Sequence, residues 1–220
     1  MHIGHRKRLR NRLLNSGGIA LEDYELLELL LFNALPRRDT KLIAKQLLKD
    51  KKSLRDLFTQ SEVNDLMISG YSSVVQASII CVAEIVKRVI SGSLKKYSVF
   101  NNWRQIMDYL IIVIGNKDIE CFYVMLLGSG NKLIAEDYYT GTVSKVMIYY
   151  REVLKKAISL NAVGIIVAHN HPSGSVDPSK EDIESTKALV KMCQVLEIKV
   201  LDHVIVSGNK FFSFSAVGLL

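Results

Sequence analysis

The sequence predicts a small all-α domain followed by an α/β domain whose mixed sheet is packed by helices. Three observations predict it. Apolar residues recur at helical spacing through residues 1–92. From about residue 100 the chain changes to short apolar runs punctuated by glycine and separated by amphipathic stretches. The charge divides at the same place: residues 1–96 carry 17 Lys/Arg against 10 Asp/Glu, whereas residues 97–220 carry 12 of each.

In the first part, "EDYELLELLLFNAL", "DTKLIAKQLLKD" and "SLRDLF" read as helices, the last two with polar caps at Asp39 or Thr40 and at Ser53. "SGYSSVVQASIICVAEIVKRVI" predicts a turn at Gly70, a cap at Ser72 or Ser73, and a long amphipathic helix ending near Gly92. "SGSLKKYS", rich in Ser, Gly and Lys, predicts a linker over 93–100. The domains are therefore expected at 1–92 and 101–220.

In the second part, "NNWRQIMDYLIIVIG" opens with a helix. "ECFYVMLLGSGNKLIAEDYYTGTV" reads as two strands joined at a Gly-Asn turn, and "YYREVLKKAISLNA" as a helix. "VGIIVAHNH" is a buried strand entering a loop. "PSKEDIESTKALVKMCQVLEI" is a helix with Pro178 at its first position, and "KVLDHVIVSGNKFFSFS" is two strands joined at Gly208-Asn209.

Composition narrows the function. The longest apolar runs are far too short to cross a bilayer, and the basic start is not followed by an apolar stretch of signal-peptide length, so a cytoplasmic protein without membrane association is expected. Three widely spaced cysteines with no CxxC argue for core packing in a reducing compartment and against a thiolate zinc site. The basic excess of the first part suits either a polyanion or a solvated surface.

The string "AHNHPSGS" places two of the chain's five histidines two positions apart, against a turn. Strand alternation puts His169 and His171 on one side and Asn170 on the other. Eleven residues on, Asp182 falls in the first turn of the returning helix and can complete a ligand set. Two His and one Asp with an open fourth position is the pattern of catalytic rather than structural zinc. Taken singly, the pair also reads as polar residues at a strand end, and Ser179-x-x-Asp182 as a capping box. Their coincidence around the Pro172–Gly174 turn favours metal.

His169-x-His171-Pro172 with Ser179-x-x-Asp182 resembles the JAMM motif of MPN-type zinc metallopeptidases. "REVLKKAISLNAVGIIVAHNHPSG" and "VLDHVIVSG" resemble the RadC family within that group, over residues 101–220. The resemblance implies a cytidine-deaminase-like α/β sandwich and zinc held by His169, His171 and Asp182. It also implies a general base at Glu120 and an oxyanion role for Ser179. Without it, Glu136, Asp137 and Glu152 would be equal candidates for the base. His203 and Asp202 are family-typical, and a satisfied strand histidine is the reading given to His203.

The first part resembles the helical, helix-hairpin-helix-like domain that precedes RadC domains, through "GHRKRLRNRLL", "LEDYELLELLLF" and "PRRDTKLIAKQLL". Its expected Gly-x-Gly turn is Gly70-Tyr71-Ser72 here, which weakens phosphate contact through backbone amides. Either Arg6, Lys7, Arg8, Arg10 and Arg12 carry a weak, salt-sensitive, non-specific contact to DNA, or the unit packs against a partner, which is slightly favoured.

Two functions follow: a zinc hydrolase cleaving a peptide or isopeptide bond in an unknown protein or peptide substrate, or a DNA-associated repair or recombination protein with a non-catalytic metal centre. A nucleobase deaminase is disfavoured by the absence of its H-x-E and P-C-x-x-C signature.

Overall fold

A computed structural model describes residues 3–59, 71–140 and 146–220. It divides into two compact units, 1–86 and 87–220.

The first unit is helical. Helices α1 (Ile3–Ser16), α2 (Asp23–Ala34), α3 (Lys41–Lys51) and α4 (Leu54–Thr59) are followed by α5 (Ser73–Lys96). Leu27, Leu31, Ala44, Leu47, Leu57, Val75 and Ile79 form its core, which is the apolar stripe expected from the helical spacing. Ser53 caps α4, its hydroxyl oxygen accepting from the Asp56 N–H at 3.0 Å. The expected turn glycine, Gly70, lies outside the described residues.

Two expectations are corrected here. The 93–100 linker is helical through Lys96, and a 3₁₀ turn starts at Val99. The helix does not stop at Gly92 because Ile90 and Leu94 continue its apolar stripe into the core of the second unit.

In that unit α6 (Trp103–Ile114) leads into β1 (Cys121–Gly128) and β2 (Lys132–Thr140). Then follow α7 (Val146–Ser159), β3 (Gly164–Asn170), α8 (Lys180–Val195), β4 (Lys199–Ser207) and β5 (Lys210–Ser213). The strand order is β2-β1-β3-β4-β5, with β3 and β4 parallel and every other pair antiparallel. The parallel pair needs a crossover, and α8 supplies it. The Gly130-Asn131 and Gly208-Asn209 turns fall where expected; Gly130 and Gly208 both take positive φ, which glycine adopts without steric cost. Ser179 is the cap of α8, so Pro178 stands before the helix rather than at its first position.

β1 and β3 are buried along their whole length because both sheet faces are covered. Tyr123, Met125, Ile166 and Ala168 pack with α6 on one face. Phe122, Val124, Ile165 and Val167 pack with Tyr150 and Val153 of α7 and Leu189 and Cys193 of α8 on the other. His169 pairs with Phe122 and so belongs to the α7/α8 face, and Asn170 to the α6 face.

The end of α6 meets the β4–β5 turn at Gly115, whose carbonyl accepts from Gly208 N at 2.7 Å. A Cβ there would lie 2.6 Å from Ile111 O and 2.7 Å from Gly208 O, both main-chain atoms. Gly115→Ala should therefore destabilise the fold by about 1–3 kcal/mol. Denaturant unfolding of the variant beside wild type measures this, and an unchanged midpoint would contradict the close approach.

Candidate metal centre

β3 delivers His169 at its last turn of side-chain alternation, and the chain keeps its register one step further, since His171 N donates to Val206 O at 3.0 Å. The Ser207 hydroxyl donates to the His171 carbonyl at 2.6 Å and holds that residue in place. From the other side, α8 brings Asp182 back over the strand end. The imidazole Nε2 atoms of His169 and His171 lie 3.0 Å apart. His169 Nε2 is 3.2 Å from Asp182 Oδ1, and His171 Nε2 is 3.6 Å from Asp182 Oδ2. The three residues expected to converge from the sequence do so.

This donor set fits a cation. Asp182 is 1% exposed, and its Oδ1 is buried without a hydrogen-bond partner although it faces the His169 ring. A buried anionic oxygen left unsatisfied costs free energy that a positive charge removes. Tetrahedral zinc with nitrogen and oxygen ligands at ordinary bond lengths sets its ligand atoms about 3.3 Å apart, close to the separations seen here. Burial drives the Asp182 carboxyl toward the neutral form, but the His169 ring and the Ser179 donors outweigh it and hold the pKa below the ordinary carboxylate value.

Glu120 sits one residue before β1, half-buried, and a carboxylate oxygen of it lies within 4.8 Å of ring nitrogens of both histidines. Its rivals from the sequence are elsewhere. Glu136 is half-buried and accepts hydrogen bonds from Tyr109 and Tyr123. It pairs with Met125, on the α6 face of the sheet, away from His169. Asp137 is paired with Lys156.

Ser179 is placed differently from the expectation that it faces an oxyanion. Its Oγ accepts from the Asp182 N–H at 3.1 Å, and its one hydroxyl proton goes to Asp182 Oδ2 at 2.7 Å. The capping box is complete, with Asp182 Oδ2 also accepting from Ser179 N. A hydroxyl committed in this way orients the carboxylate and has no proton left for an oxyanion.

Three residues that the sequence did not mark as part of the site belong to its support. Asn170 is fully buried on the α6 face. Its Oδ1 accepts from Cys121 N at 2.7 Å, and its Nδ2 donates to the carbonyls of Lys117 and Ile119 at 2.9 and 3.2 Å. It thereby pins the segment that carries Glu120. His203, also buried, lies with Nε2 2.7 Å from His169 Nδ1 and stacks on Phe214 with ring centroids 4.7 Å apart. Burial, reinforced by the neighbouring His169, pushes its pKa well below the ordinary histidine value. Thr186 of α8 contacts His203 Nδ1. The only signal for these in the sequence is that Asn170 must face away from the histidines and that "LDH" puts a polar pair inside an apolar strand.

With the geometry established, comparison with known proteins places the chain. The RadC-like JAB domain matches residues 100–219. The chain belongs to the RadC-like JAB domain family. It is also 37% identical over 225 residues to the UPF0758 protein FN0909 of Fusobacterium nucleatum, an alignment that covers 99% of this chain and 97% of that relative. The similarity therefore includes the helical first unit. Among the described residues, no helix of this RadC-like chain is long and apolar enough to cross a membrane.

Removing the Asn170 amide leaves the buried Cys121 N–H without its acceptor, a loss of about 1–3 kcal/mol. Asn170→Ala should lower stability by that amount and speed hydrogen exchange at the Cys121 amide. Exchange at Cys121 as slow as in wild type would show that something else holds the Glu120 segment.

Proposed function

We propose that this RadC-like protein is a zinc-dependent hydrolase of amide bonds, with a peptide or isopeptide as substrate. The observation that carries the reading is the orphaned Asp182 Oδ1 facing His169 beside His171, with a fourth, more exposed residue, Glu120, near both rings. His169, His171 and Asp182 would hold the metal.

Bound there, zinc supplies Lewis acidity toward a carbonyl and lowers the pKa of a coordinated water to about 7. Glu120 accepts the proton of the attacking water and returns it to the leaving amine, which an amide needs because a bare amine anion is a poor leaving group. Ser179 and its two hydrogen bonds keep Asp182 Oδ2 turned inward, and Asn170 keeps Glu120 at the mouth. Burial of His169 and Asp182 excludes water from the inner side of the site, while the His171 side chain, 16% exposed, and Glu120 border the open side.

The test has two arms. Purified protein should carry or take up one zinc per chain, His169→Ala should not, and zinc in excess should stabilise the fold by about 2.7 kcal/mol at a hundred times its dissociation constant. Glu120→Gln should keep the metal and lose hydrolysis of a peptide or isopeptide library by about 10²–10⁴-fold. Absence of zinc uptake by the wild type overturns the centre; full activity of Glu120→Gln overturns the base.

A second reading concerns the first unit. A weak, non-specific DNA contact in a repair or recombination setting is supported by its charge excess. Arg6 is spent on the carbonyls of Phe32, Leu35 and Arg38, and Arg12 on Glu25, so the exposed Lys7, Arg8 and Arg10 would carry it. Gel shifts at low salt should weaken when these three are changed to Glu. Binding that is insensitive both to them and to salt would end this reading.

A further inference from the structure

The buried polar groups behind His169 form a chain whose hydrogen directions are fixed by elimination. Thr186 Oγ1 is 2.6 Å from the main-chain carbonyl of Asp182. A carbonyl can only accept, so the single hydroxyl proton of Thr186 lies there. The same oxygen contacts His203 Nδ1 and, with its proton spent, can only accept from it. His203 therefore carries its hydrogen on Nδ1. The ring is buried and its two nitrogens have His169 and Thr186, not a carboxylate, as their hydrogen-bond partners, so a second proton would be held away from water at high cost. Its Nε2 is consequently bare, and 2.7 Å away the His169 Nδ1–H donates to it. That leaves His169 Nε2 as the ring nitrogen outside the relay, facing Asp182 Oδ1 at 3.2 Å and His171 Nε2 at 3.0 Å.

We propose that Thr186 and His203 are positioning residues that hold a hydrogen on His169 Nδ1, so that Nε2, which faces Asp182 and His171, is the nitrogen left to a metal. This rests on the zinc centre proposed above, but the tautomer itself is a property of the metal-free chain. The relay starts on the main chain of one ligand residue, Asp182, and ends on the ring of another. A shift of α8 along its axis would break it at Thr186. It thus couples the placement of α8 to the donor state of β3, across 17 residues between Thr186 and His203. The Phe214 ring stacked on His203, at 16° between planes, keeps the imidazole from rotating and exchanging its two nitrogens.

The experiment reads ¹⁵N shifts of the histidine rings in metal-free protein at about pH 8, above the ordinary imidazole range, and zinc affinity by chelator competition. Wild type should show a hydrogen on Nδ1 of both His169 and His203. Thr186→Val removes the acceptor for His203 Nδ1–H, which should move hydrogen toward His203 Nε2 and drive His169 to carry its own on Nε2. Zinc affinity should then fall about 10–100-fold, as for other changes to groups behind a metal ligand. Thr186→Ser, which keeps the hydroxyl, should restore both readings. A wild-type His169 lacking hydrogen on Nδ1 overturns the proposal, as does a Thr186→Val protein with unchanged tautomers and unchanged zinc affinity. Should Thr186→Val fail to fold, the wild-type tautomers and the Thr186→Ser protein decide. A wild type that binds no zinc but shows the stated tautomers sinks the hydrolase reading and leaves the relay standing.

Discussion

Alternation of side chains at the end of β3 is the constraint on which the site depends. Because β3 is covered on both faces, its last residues cannot exchange sides without putting an imidazole into the α6 core or an amide among the ligands. His169 and His171 go to one side and meet Asp182. Asn170 goes to the other and holds the 117–121 segment by three hydrogen bonds. One strand end therefore sets both the donor cluster and the carboxylate that overlooks it. The antiparallel register of β1 on β3 brings Phe122 opposite His169, and so carries Glu120, two residues earlier, to the histidines.

This explains which parts were legible in the sequence. Periodicity showed the division into helical and α/β parts, the two glycine-asparagine turns and the strand carrying the histidines, since each is a local pattern. The convergence of His169, His171 and Asp182 was legible because the H-x-H spacing and the capping position of Asp182 are also local. The supporting residues were not. Asn170 acts on a segment 49 residues earlier, at Cys121, and His203 on a ring 34 residues earlier, at His169, so no window of sequence contains both partners. Ser179 carried two readings for a related reason: a Ser near a metal motif and a Ser capping a helix look identical until the direction of its proton is known. The 93–100 segment has a linker's composition, yet the apolar stripe through Ile90 and Leu94 continues the helix to Lys96.

Charge in the first unit shows the same limit. Counting residues gives an excess of cations but not where their hydrogen bonds go. Arg6 stacks on Phe32 at 4.6 Å and donates to three carbonyls at and beyond the end of α2, where main-chain acceptors lack helical partners. Arg12 makes a two-pronged contact with Glu25, whose carboxylate it holds below the ordinary value, and with Ala20 O. These two arginines organise the α1–α2 corner, and each guanidinium used there is one fewer for a phosphate.

The polar groups around the centre would be a poor way to gain stability alone. A buried Asp with an unsatisfied oxygen and a cluster of three histidines exact a desolvation cost that an apolar core of the same volume would avoid. What they provide is direction. Asp202, buried at the start of the same strand segment as His203, accepts from the main-chain N–H of His203 and Ser215 and from the Ser213 hydroxyl, and so fixes β4 against the chain after β5. With β4 fixed there, His203 is held on Phe214; with His203 held, His169 has only one acceptor for its Nδ1–H. Orientation is thus passed from a main-chain brace to a ring, by hydrogen bonds to Asp202 and stacking on Phe214, and from that ring to His169 through a buried hydrogen bond. A site assembled in this way has the directions of its side chains set by the fold, with Asp182 Oδ1 left facing the His169 ring.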